Sequence, residues 1–261
     1  MTDPALRHEG AADRRTWILS KLRAVGFLSI NDLARELAVS HMTVRRDIHA
    51  LEAAGQVRLV HGGVSLTPAA LQSPAFPDDG NADGRARLAE REARLVGEVD
   101  TIVVDAGPTG HALARALPDQ FRGAVITHSV PVLQLMDQRR LPSRIVALGG
   151  ELLADRHAFV GPATEAAISQ LRAHTFYLSP SAVDARGTYA HSSAEASVQR
   201  KLIEIADDVV LVATHEVFST SATACVAPLE RLTRLVTDRP LPVGIARALR
   251  RSDVTTVVVG S

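Results

Sequence analysis

Residues 40–64 read SHMTVRRDIHALEAAGQVRLVHGGV, and the fold of the N-terminal part of the chain follows from this stretch. Ser40 is a favourable N-cap, because its hydroxyl can accept a hydrogen bond from an unpaired amide in the first turn of a helix. Val44, Ile48 and Leu51 then follow at the spacing of a single apolar helical stripe. The stretch therefore begins with a predicted helix that buries one face.

The opposite face of this predicted helix is polar. Arg46 and His49 lie nearly opposite the apolar stripe, with Thr43 and Arg45 beside them. The major groove of duplex DNA admits one helix, and an arginine can pair there bidentately with guanine. This pattern favours DNA binding, with a simple solvated face as the alternative.

The residues around the predicted helix indicate a winged helix-turn-helix. Residues 12–25 and 30–37 form two earlier helices with regular apolar spacing. After Gly55, residues 57–61 alternate like a short strand, and Gly62-Gly63 turns the chain back into a hairpin, the wing. On spacing alone, a small helical subdomain with no DNA-binding role remains an equal alternative.

The stretch also resembles a known family. Residues 39–48 (VSHMTVRRDI), then Leu51-Glu52, Gly55, Arg58 and residues 61–64 (HGGV) resemble the signature of the DeoR family of bacterial transcriptional regulators. That signature reads VS-x-x-T-[IV]-R-R-D-L, then L-E, G, R and H-G-G-A. The resemblance implies an N-terminal domain that binds operator DNA and an effector-sensing α/β domain behind it. The residues expected to contact DNA are Ser40, His41, Thr43, Arg45, Arg46, His49, Arg58, His61 and Gly62.

Composition limits the other possibilities. The formal net charge is +0, so basic groups can act on phosphate only locally, and Arg14 and Arg15 are further candidates for this. The single cysteine, Cys225, excludes an intrachain disulfide and suits a reducing compartment. No apolar run is long enough to span a membrane, and the N-terminus is too polar for a signal peptide. We therefore expect a cytoplasmic protein that does not associate with a membrane.

The second half of the chain follows a different pattern. Residues 65–84 are rich in Pro, Asp, Gly and Ser, which predicts a linker between a DNA-binding domain at 12–64 and a sensor domain at 85–261. Residues 85–98 predict a charged helix with a solvated face. Short β-branched runs then alternate with helical stretches, which predicts an α/β domain with a doubly wound, mostly parallel sheet. The predicted strands are 101–105, 124–127, 144–148, 175–178, 209–213, 235–237 and 257–259, and the predicted helices between them include 111–117, 130–138, 163–173 and 195–206.

Ligands of such sheets bind outside the carboxyl ends of the strands, so the residues that follow each strand are the candidates for a sensing site. The resemblance aligns residues 105–110 (DAGPTG) with the D-A-G-T-T-T loop of the DeoR sensor domain, which is similar to sugar-phosphate isomerases and holds the phosphate of the effector. Residues 127–129 and 149–150 match the T-N-S and G-G segments of the family. The effector contacts that the resemblance implies are Asp105, Gly107, Pro108, Thr109, Gly110, Thr127, His128, Gly149, Gly150, Asp184 and Glu216.

Several of these positions depart from the family pattern. Pro108 replaces a threonine and removes an amide donor, and residues 177–184 lack both glycines of the family segment. Glu216 stands where the family has lysine, and a glutamate repels an anion. Three alternatives stay open: other groups such as Arg200 or Lys201 hold a phosphate, the effector is not a phosphorylated sugar, or sensing has been lost. For the second alternative we expect an uncharged polyol, sugar or nucleoside-like ligand.

The rival class is an isomerase-like enzyme that uses Asp105, Asp184 or Glu216 as a base. The winged helix and the missing lysine argue against this class, so we expect no catalytic residue and no cofactor. His157, His174 and His191 lack the spacing of metal ligands, so we expect no metal site. One winged helix contacts few base pairs, and we therefore expect a homodimer or a homotetramer.

Overall fold

The computed structural model describes residues 10–60, 62–66, 76 and 80–260. The chain divides into two compact units, residues 1–74 and residues 75–261. Each unit has its own hydrophobic core. Within the described ranges, no helix is long and apolar enough to cross a membrane.

The first unit has the predicted winged helix-turn-helix order. Its elements are α1 (Ala11–Val25), β1 (Phe27–Ser29), α2 (Ile30–Glu36), α3 (His41–Ala53), β2 (Val57–Val60) and β3 (Gly63–Leu66). The strands form an antiparallel sheet in the order β1-β3-β2. Ile18, Leu33, Val44, Ile48 and Val64 meet in the core between the helices and the sheet. The apolar stripe of α3 is thus buried as predicted.

The second unit is an α/β domain around one seven-stranded parallel sheet. Its principal strands are β4 (Thr101–Val104), β5 (Ala124–Thr127), β6 (Arg144–Ala147), β9 (Ala173–Leu178), β12 (Ala206–Val212), β14 (Arg234–Thr237) and β15 (Thr255–Val258). They lie in the order β15-β14-β12-β9-β4-β5-β6. The direction of winding reverses between β4 and β9, which makes that pair the topological switch point. The predicted doubly wound parallel sheet is confirmed.

Helices cover both faces of this sheet. The helices are α4 (Ala82–Ala93), α5 (Pro108–Ala116), α6 (Val130–Arg139), α7 (Pro162–Ile168), α8 (Ser193–Ile205) and α9 (Val243–Arg251). The apolar side chains of α4, α5 and α6 pack in one core, and those of α7, α8 and α9 pack in a second. Along β4, Ile102 and Val104 enter the first core, whereas Val103 enters the second. This alternation is what a sheet buried on both faces requires.

Two smaller sheets were not predicted. Strands β7 (Glu151–Leu153) and β8 (Ala158–Val160) form an antiparallel hairpin. Strands β10 (Ala182–Asp184), β11 (Gly187–Ala190) and β13 (Ala224–Ala227) form the other sheet. Their strands are only three or four residues long, too short for a periodic signal in the sequence.

Two predicted helices differ from the structure. The predicted helix at 163–173 ends at Ile168, because residues from Ala173 onward pair with β12 as strand β9. The charged helix has the predicted solvated face, with Arg87 and Glu90 exposed, but α4 also buries Arg85 and Glu92 together with Leu88. The buried Glu92 carboxylate accepts a hydrogen bond from Arg234 at 2.6 Å, so its charge is compensated inside the fold.

The predicted linker at 65–84 contains structured residues at both ends. Strand β3 runs to Leu66, which pairs with Val57, and α4 begins at Ala82. Residues 67–75 and 77–79 of this stretch lie outside the described residues. The domain boundaries therefore stay a prediction.

Candidate functional site

The exposed face of α3 is the candidate DNA interface. Ser40 caps the helix, since its hydroxyl accepts a hydrogen bond from the Thr43 amide at 3.2 Å. His41, Arg45, Arg46 and His49 are exposed along the helix, whereas Thr43 is half-buried, with its hydroxyl 2.9 Å from that of Ser40. Met42, which the sequence analysis did not single out, is 74% exposed on the same face.

The position of α3 is fixed by a buried ion pair. Asp47 lies on the inner face of the helix and accepts a hydrogen bond from Nε of Arg14 on α1 at 2.8 Å. Because this guanidinium is largely buried and committed to Asp47, Arg14 is not the phosphate contact that the sequence suggested. Arg14 instead holds α3, the candidate recognition helix, against α1.

The first unit carries a small net positive charge. Residues 10–66 contain eight Lys or Arg and five Asp or Glu. Lys21 pairs with Glu36, and Arg35 pairs with Asp32. Within the described part of the chain, neither Arg45 nor Arg46 forms an ion pair. These two arginines therefore remain available for an external anion.

The wing lies beside the recognition helix. Arg58 on β2 is exposed and donates a hydrogen bond to the hydroxyl of Ser65 at 3.2 Å. Gly62 sits at the tip with φ +80°, a conformation that favours glycine, while His61 lies outside the described residues. Glu52 accepts a hydrogen bond from the Leu59 amide at 3.3 Å, which ties α3 to β2. A concave surface lies between helix and wing, lined in part by His41, Arg45, His49 and Gly62.

The switch point of the second unit is organised by Asp105, which follows β4 and is fully buried. One carboxylate oxygen accepts hydrogen bonds from the Ala106 amide at 2.9 Å and from His128 at 3.1 Å. The other accepts hydrogen bonds from the Ser179 amide and the Gln199 side chain, both at 2.9 Å. With both oxygens committed, Asp105 positions the strand ends and does not face a ligand.

His128 is the histidine partner of this carboxylate. Its Nδ1 lies 3.0 Å from the Phe159 carbonyl oxygen and its Nε2 lies 3.1 Å from Asp105, so both ring nitrogens face acceptors. Burial by itself lowers the pKa of His128, but the hydrogen bond and charge of Asp105 outweigh this, with help from the Phe159 carbonyl and Glu195. The pKa of His128 is therefore raised, which favours the doubly protonated imidazolium.

A cavity of about 240 Å³ opens beside the switch point, at the carboxyl ends of β4, β9 and β12. We call it the ligand cavity. Gly107, Pro108, Thr109 and Glu216 line it, as four of the predicted effector contacts. Its other polar side chains belong to Asn81, Arg85, Arg156, Ser179, Ser181, His191, Thr214 and Thr220.

The other predicted effector contacts do not line the ligand cavity. Several of them have packing or hydrogen-bonding roles within the fold. Thr127 donates a hydrogen bond to the Val104 carbonyl at 2.8 Å. Gly110 packs against the backbone of Asp105, where a Cβ atom would come within 2.1 Å of the carbonyl oxygen. Gly150 packs against Thr164 in a similar way. The predicted contacts outside the lining are Asp105, Gly110, Thr127, His128, Gly149, Gly150 and Asp184.

Asp184 closes the turn between β10 and β11. Its carboxylate accepts hydrogen bonds from the Gly187 amide, the Arg186 guanidinium and the Tyr189 hydroxyl. Partial burial raises the pKa of Asp184. The hydrogen bonds from Arg186 and Tyr189 have a larger effect in the opposite direction, so the pKa of Asp184 is lowered overall. Of the three carboxylates considered as isomerase bases, Glu216 alone lines the ligand cavity.

Two arginines in the cavity wall were missed by the sequence analysis. Arg85 comes from the first turns of α4 and is 7% exposed. Arg156 comes from the turn between β7 and β8, and its guanidinium contacts the buried Glu195 carboxylate at 3.2 Å. The cations suggested instead, Arg200 and Lys201, contact the Cys225 carbonyl and Glu204 and do not line the cavity. Neither arginine has a local sequence signal, because only the tertiary fold brings it to this edge of the sheet.

Metal chemistry finds no support at these sites. Among the described residues, no group of three or more His, Cys, Asp or Glu side chains could hold a metal ion.

Comparison with known proteins assigns both units. The family model of the DeoR-like helix-turn-helix domain matches residues 14–68. The family model of the DeoR C terminal sensor domain matches residues 80–239.

Individual relatives agree with these matches. The chain is 33% identical to the transcriptional repressor AccR of Agrobacterium fabrum over 87% of this chain and 89% of that protein. It is 26% identical to the glycerol-3-phosphate regulon repressor of Escherichia coli over 90% of this chain and 94% of that protein. Among solved structures, ribose 5-phosphate isomerase A of Neisseria gonorrhoeae aligns with a TM-score of 0.39 and 12% identity, over 53% of this chain and 54% of that chain.

Proposed function

Since the chain belongs to the DeoR family of transcriptional regulators, we propose that it recognises an operator in duplex DNA through the exposed face of α3 and through the wing. The observation that supports this most directly is the exposed pair Arg45 and Arg46, which forms no ion pair within the described part of the chain. In this proposal Arg46 reads a guanine edge, and Arg58 neutralises a phosphate. His41, Thr43, His49 and Gly62 complete the contact surface, together with Ser40 and His61.

A gel shift with the DNA upstream of the protein's own gene tests the proposal. We expect a discrete complex that survives an excess of scrambled duplex and weakens as salt rises, because phosphate contacts release counterions. Equal affinity for the upstream and scrambled duplexes would refute sequence-specific recognition.

We also propose that the protein is a cytoplasmic repressor of an operon for carbohydrate or related metabolism. Relatives support this, since their names include a glycerol-3-phosphate regulon repressor and a putative aga operon repressor. Measuring transcripts of the neighbouring genes after deletion of this gene tests the direction of control. Increased transcripts are expected for a repressor, and decreased transcripts would indicate an activator.

The ligand cavity is the proposed effector site. It lies at the topological switch point, where ligands of open α/β sheets bind. Its wall contains Gly107, where a ligand can come close to the backbone, together with hydroxyl groups and charged side chains. We propose that a small polyhydroxylated molecule binds there and that simple sugar phosphates bind weakly. Glu216 in the wall and the missing amide at Pro108 both disfavour a dianion.

The effector would act on DNA binding through α4. Among the described residues, this helix is the first element of the second unit, and Asn81 and Arg85 at its start line the ligand cavity. Gly84 packs beside Thr214 and Asp238 at the ends of β12 and β14. A ligand that contacts Arg85 therefore acts on the residues through which the chain enters the sensor.

A homodimer or homotetramer is the proposed functional form, because a single α3 reaches too few base pairs for useful specificity. Two winged helices on one face of the duplex would require half-sites separated by multiples of roughly 10 bp. Sedimentation at micromolar concentration, together with footprinting, tests this proposal. A monomer that protects unpaired sites would contradict it.

A further inference from the structure

The charges around the ligand cavity are mixed. Arg85 and Arg156 contribute guanidinium groups to its wall, and Glu216 contributes a carboxylate. Arg156 is partly neutralised by the buried Glu195 carboxylate, whose nearer oxygen lies 3.2 Å from the guanidinium. The wall therefore offers guanidinium groups to an anionic group, while the Glu216 carboxylate opposes the double charge of a phosphate dianion.

Two buried oxygen atoms of residues in the wall lack hydrogen-bond partners within the described part of the chain. They are Oε2 of Glu216 and Oγ of Ser181. An ionised carboxylate only accepts hydrogen bonds, and leaving a buried acceptor unpaired is costly. A ligand that fits this wall must therefore present hydroxyl or ammonium donors to Glu216.

The size of the cavity favours a compact ligand. Its volume of about 240 Å³ is below the roughly 300–1,000 Å³ of sites for drug-sized molecules. A chain of about four to six carbons with its hydroxyl groups is appropriate for a site of this size.

Building on the effector site of the proposed function, we infer that the effector is a polyhydroxylated carboxylic acid, that is, a sugar acid. Its carboxylate carries a single negative charge and is planar, so it matches the Nη1–Nη2 edge of the Arg156 guanidinium, whose Nε and Nη2 also contact Glu195, with Arg85 at the same wall. Its hydroxyl groups donate hydrogen bonds to Glu216 and exchange hydrogen bonds with Ser181. Glu216 is the specificity determinant, because it accepts from hydroxyl groups and repels a dianionic phosphate.

Three acyclic six-carbon compounds that differ only at one end test this inference. At C1, sorbitol carries a neutral hydroxymethyl group, gluconate a carboxylate and sorbitol 1-phosphate a phosphate dianion. Titration calorimetry on the full chain should give gluconate the tightest binding, by roughly ten- to a hundredfold, because a hydrogen-bonded charge contributes about 1.5–3 kcal/mol. The same three end groups on a four-carbon chain cover the possibility that six carbons are too long for the cavity.

Four variants assign the roles. Arg156→Gln should weaken binding of the acid at least about tenfold, whereas Arg200→Gln, which removes an arginine outside the cavity, should leave it unchanged. Glu216→Lys should reverse the preference in favour of the phosphate. Circular dichroism of each variant establishes that the fold is retained, and Glu216→Gln offers a milder second variant that should weaken the discrimination against phosphate.

Several results would overturn the inference. One is equal affinity of the unaltered protein for the compounds with the three end groups. A second is tighter binding of the phosphate or of an amino sugar than of the acid. A third is that no compound of either the six-carbon or the four-carbon series binds. If no compound binds while the operator is still recognised, the sugar-acid inference fails and the DNA-binding proposal stands. Loss of operator recognition by the unaltered protein would instead count against the proposed function.

Discussion

Asp47 and Asp105 are buried carboxylates, one in each compact unit, and each is hydrogen-bonded to a basic side chain. Asp47 accepts a hydrogen bond from Arg14 at 2.8 Å, and Asp105 accepts one from His128 at 3.1 Å. A charge removed from water is tolerated when it is paired and hydrogen-bonded, but an unpaired one is costly. The partner side chains therefore contribute to stability although neither contacts DNA or lines the ligand cavity.

Replacing Arg14 should destabilise the winged helix. Arg14→Ala leaves the Asp47 carboxylate buried without its partner, and breaking such a pair costs on the order of 3 kcal/mol. The neighbouring Arg15 donates a hydrogen bond to the Ala11 carbonyl, so Arg15→Ala is a matched control that removes the same charge. Thermal unfolding should show a markedly lower unfolding temperature for Arg14→Ala and little change for Arg15→Ala. Equal loss in both would mean that the Arg14–Asp47 pair has no special role.

The His128–Asp105 pair predicts a pH dependence of stability. Because the pKa of His128 is raised in the folded protein, the fold binds this proton more tightly than the unfolded chain does. Its contribution to the free energy of unfolding is fully present below the ordinary histidine pKa of 6.5 and is lost as pH rises through the folded pKa. Urea unfolding at a series of pH values from mildly acidic to mildly alkaline should show this loss.

His128→Asn supplies the control for that measurement, since asparagine does not titrate and occurs at the matching position of the family's T-N-S segment. The difference in unfolding free energy between the original protein and the variant should shrink as pH rises. A difference that stays constant over the whole range would show that His128 is not protonated in the fold.

Helix α4 is the element through which the chain enters the sensor, and both of its ends are anchored. Gly84 and Arg85 face the strand ends and the ligand cavity, while Glu92 near the other end contacts Arg91 and Arg234. Glu92 is fully buried, so its two guanidinium partners compensate its charge. A helix held in this way can transmit a change at the cavity only as a unit.

A bulkier residue at Gly84 should disturb the packing of α4 against Thr214 and Asp238. A Cβ atom there would come within 3.2 Å of Thr214 Cγ2 and 3.3 Å of an Asp238 carboxylate oxygen, so the branched side chain of Gly84→Val would clash. We expect a loss of about 1–3 kcal/mol for the sensor domain, as for other overpacked sites. Ala86→Val, at an exposed position of the same helix, should cost less than about 1 kcal/mol. Similar unfolding temperatures for both variants would contradict the close packing of Gly84.

At the level of elements, the sequence predicts what local periodicity encodes. The stripe of Val44, Ile48 and Leu51 predicts α3 with its buried face, and the apolar runs predict the strands of the parallel sheet. The burial of α4 could not be predicted, because the partner of Glu92 is Arg234, 142 residues further along the chain. The ligand cavity was predicted only at its loop, Gly107–Thr109, and at Glu216. Arg85 and Arg156 reach it from a helix and a hairpin turn whose places depend on the tertiary fold.

Across the whole molecule, the net charge is unevenly distributed between the two units. The formal net charge of the chain is +0, yet residues 10–66 carry a positive excess, and Arg45, Arg46 and Arg58 are exposed on α3 and the wing. This division allows local attraction to DNA by a chain with no overall charge. DNA binding should accordingly depend on a few positions.

The wing should supply affinity without specificity. Arg58→Ala should weaken binding to operator and scrambled duplex alike and reduce the slope of log affinity against log salt by about one, if the side chain neutralises one phosphate. Titrations over a range of salt concentrations measure the slope. An unchanged slope with reduced specificity would mean that Arg58 reads bases instead.

The most direct test compares two variants that each remove one exposed arginine from the first unit. Arg46 lies on the outer face of α3, whereas Arg35 lies on α2 and pairs with Asp32. Fluorescence anisotropy gives the affinity of each variant for the operator and for a scrambled duplex. Arg46→Ala should lower the ratio of the two affinities by roughly ten- to a hundredfold, as the loss of one bidentate base contact requires, and Arg35→Ala should leave it unchanged. Equal ratios for the two variants would contradict recognition of the operator by α3.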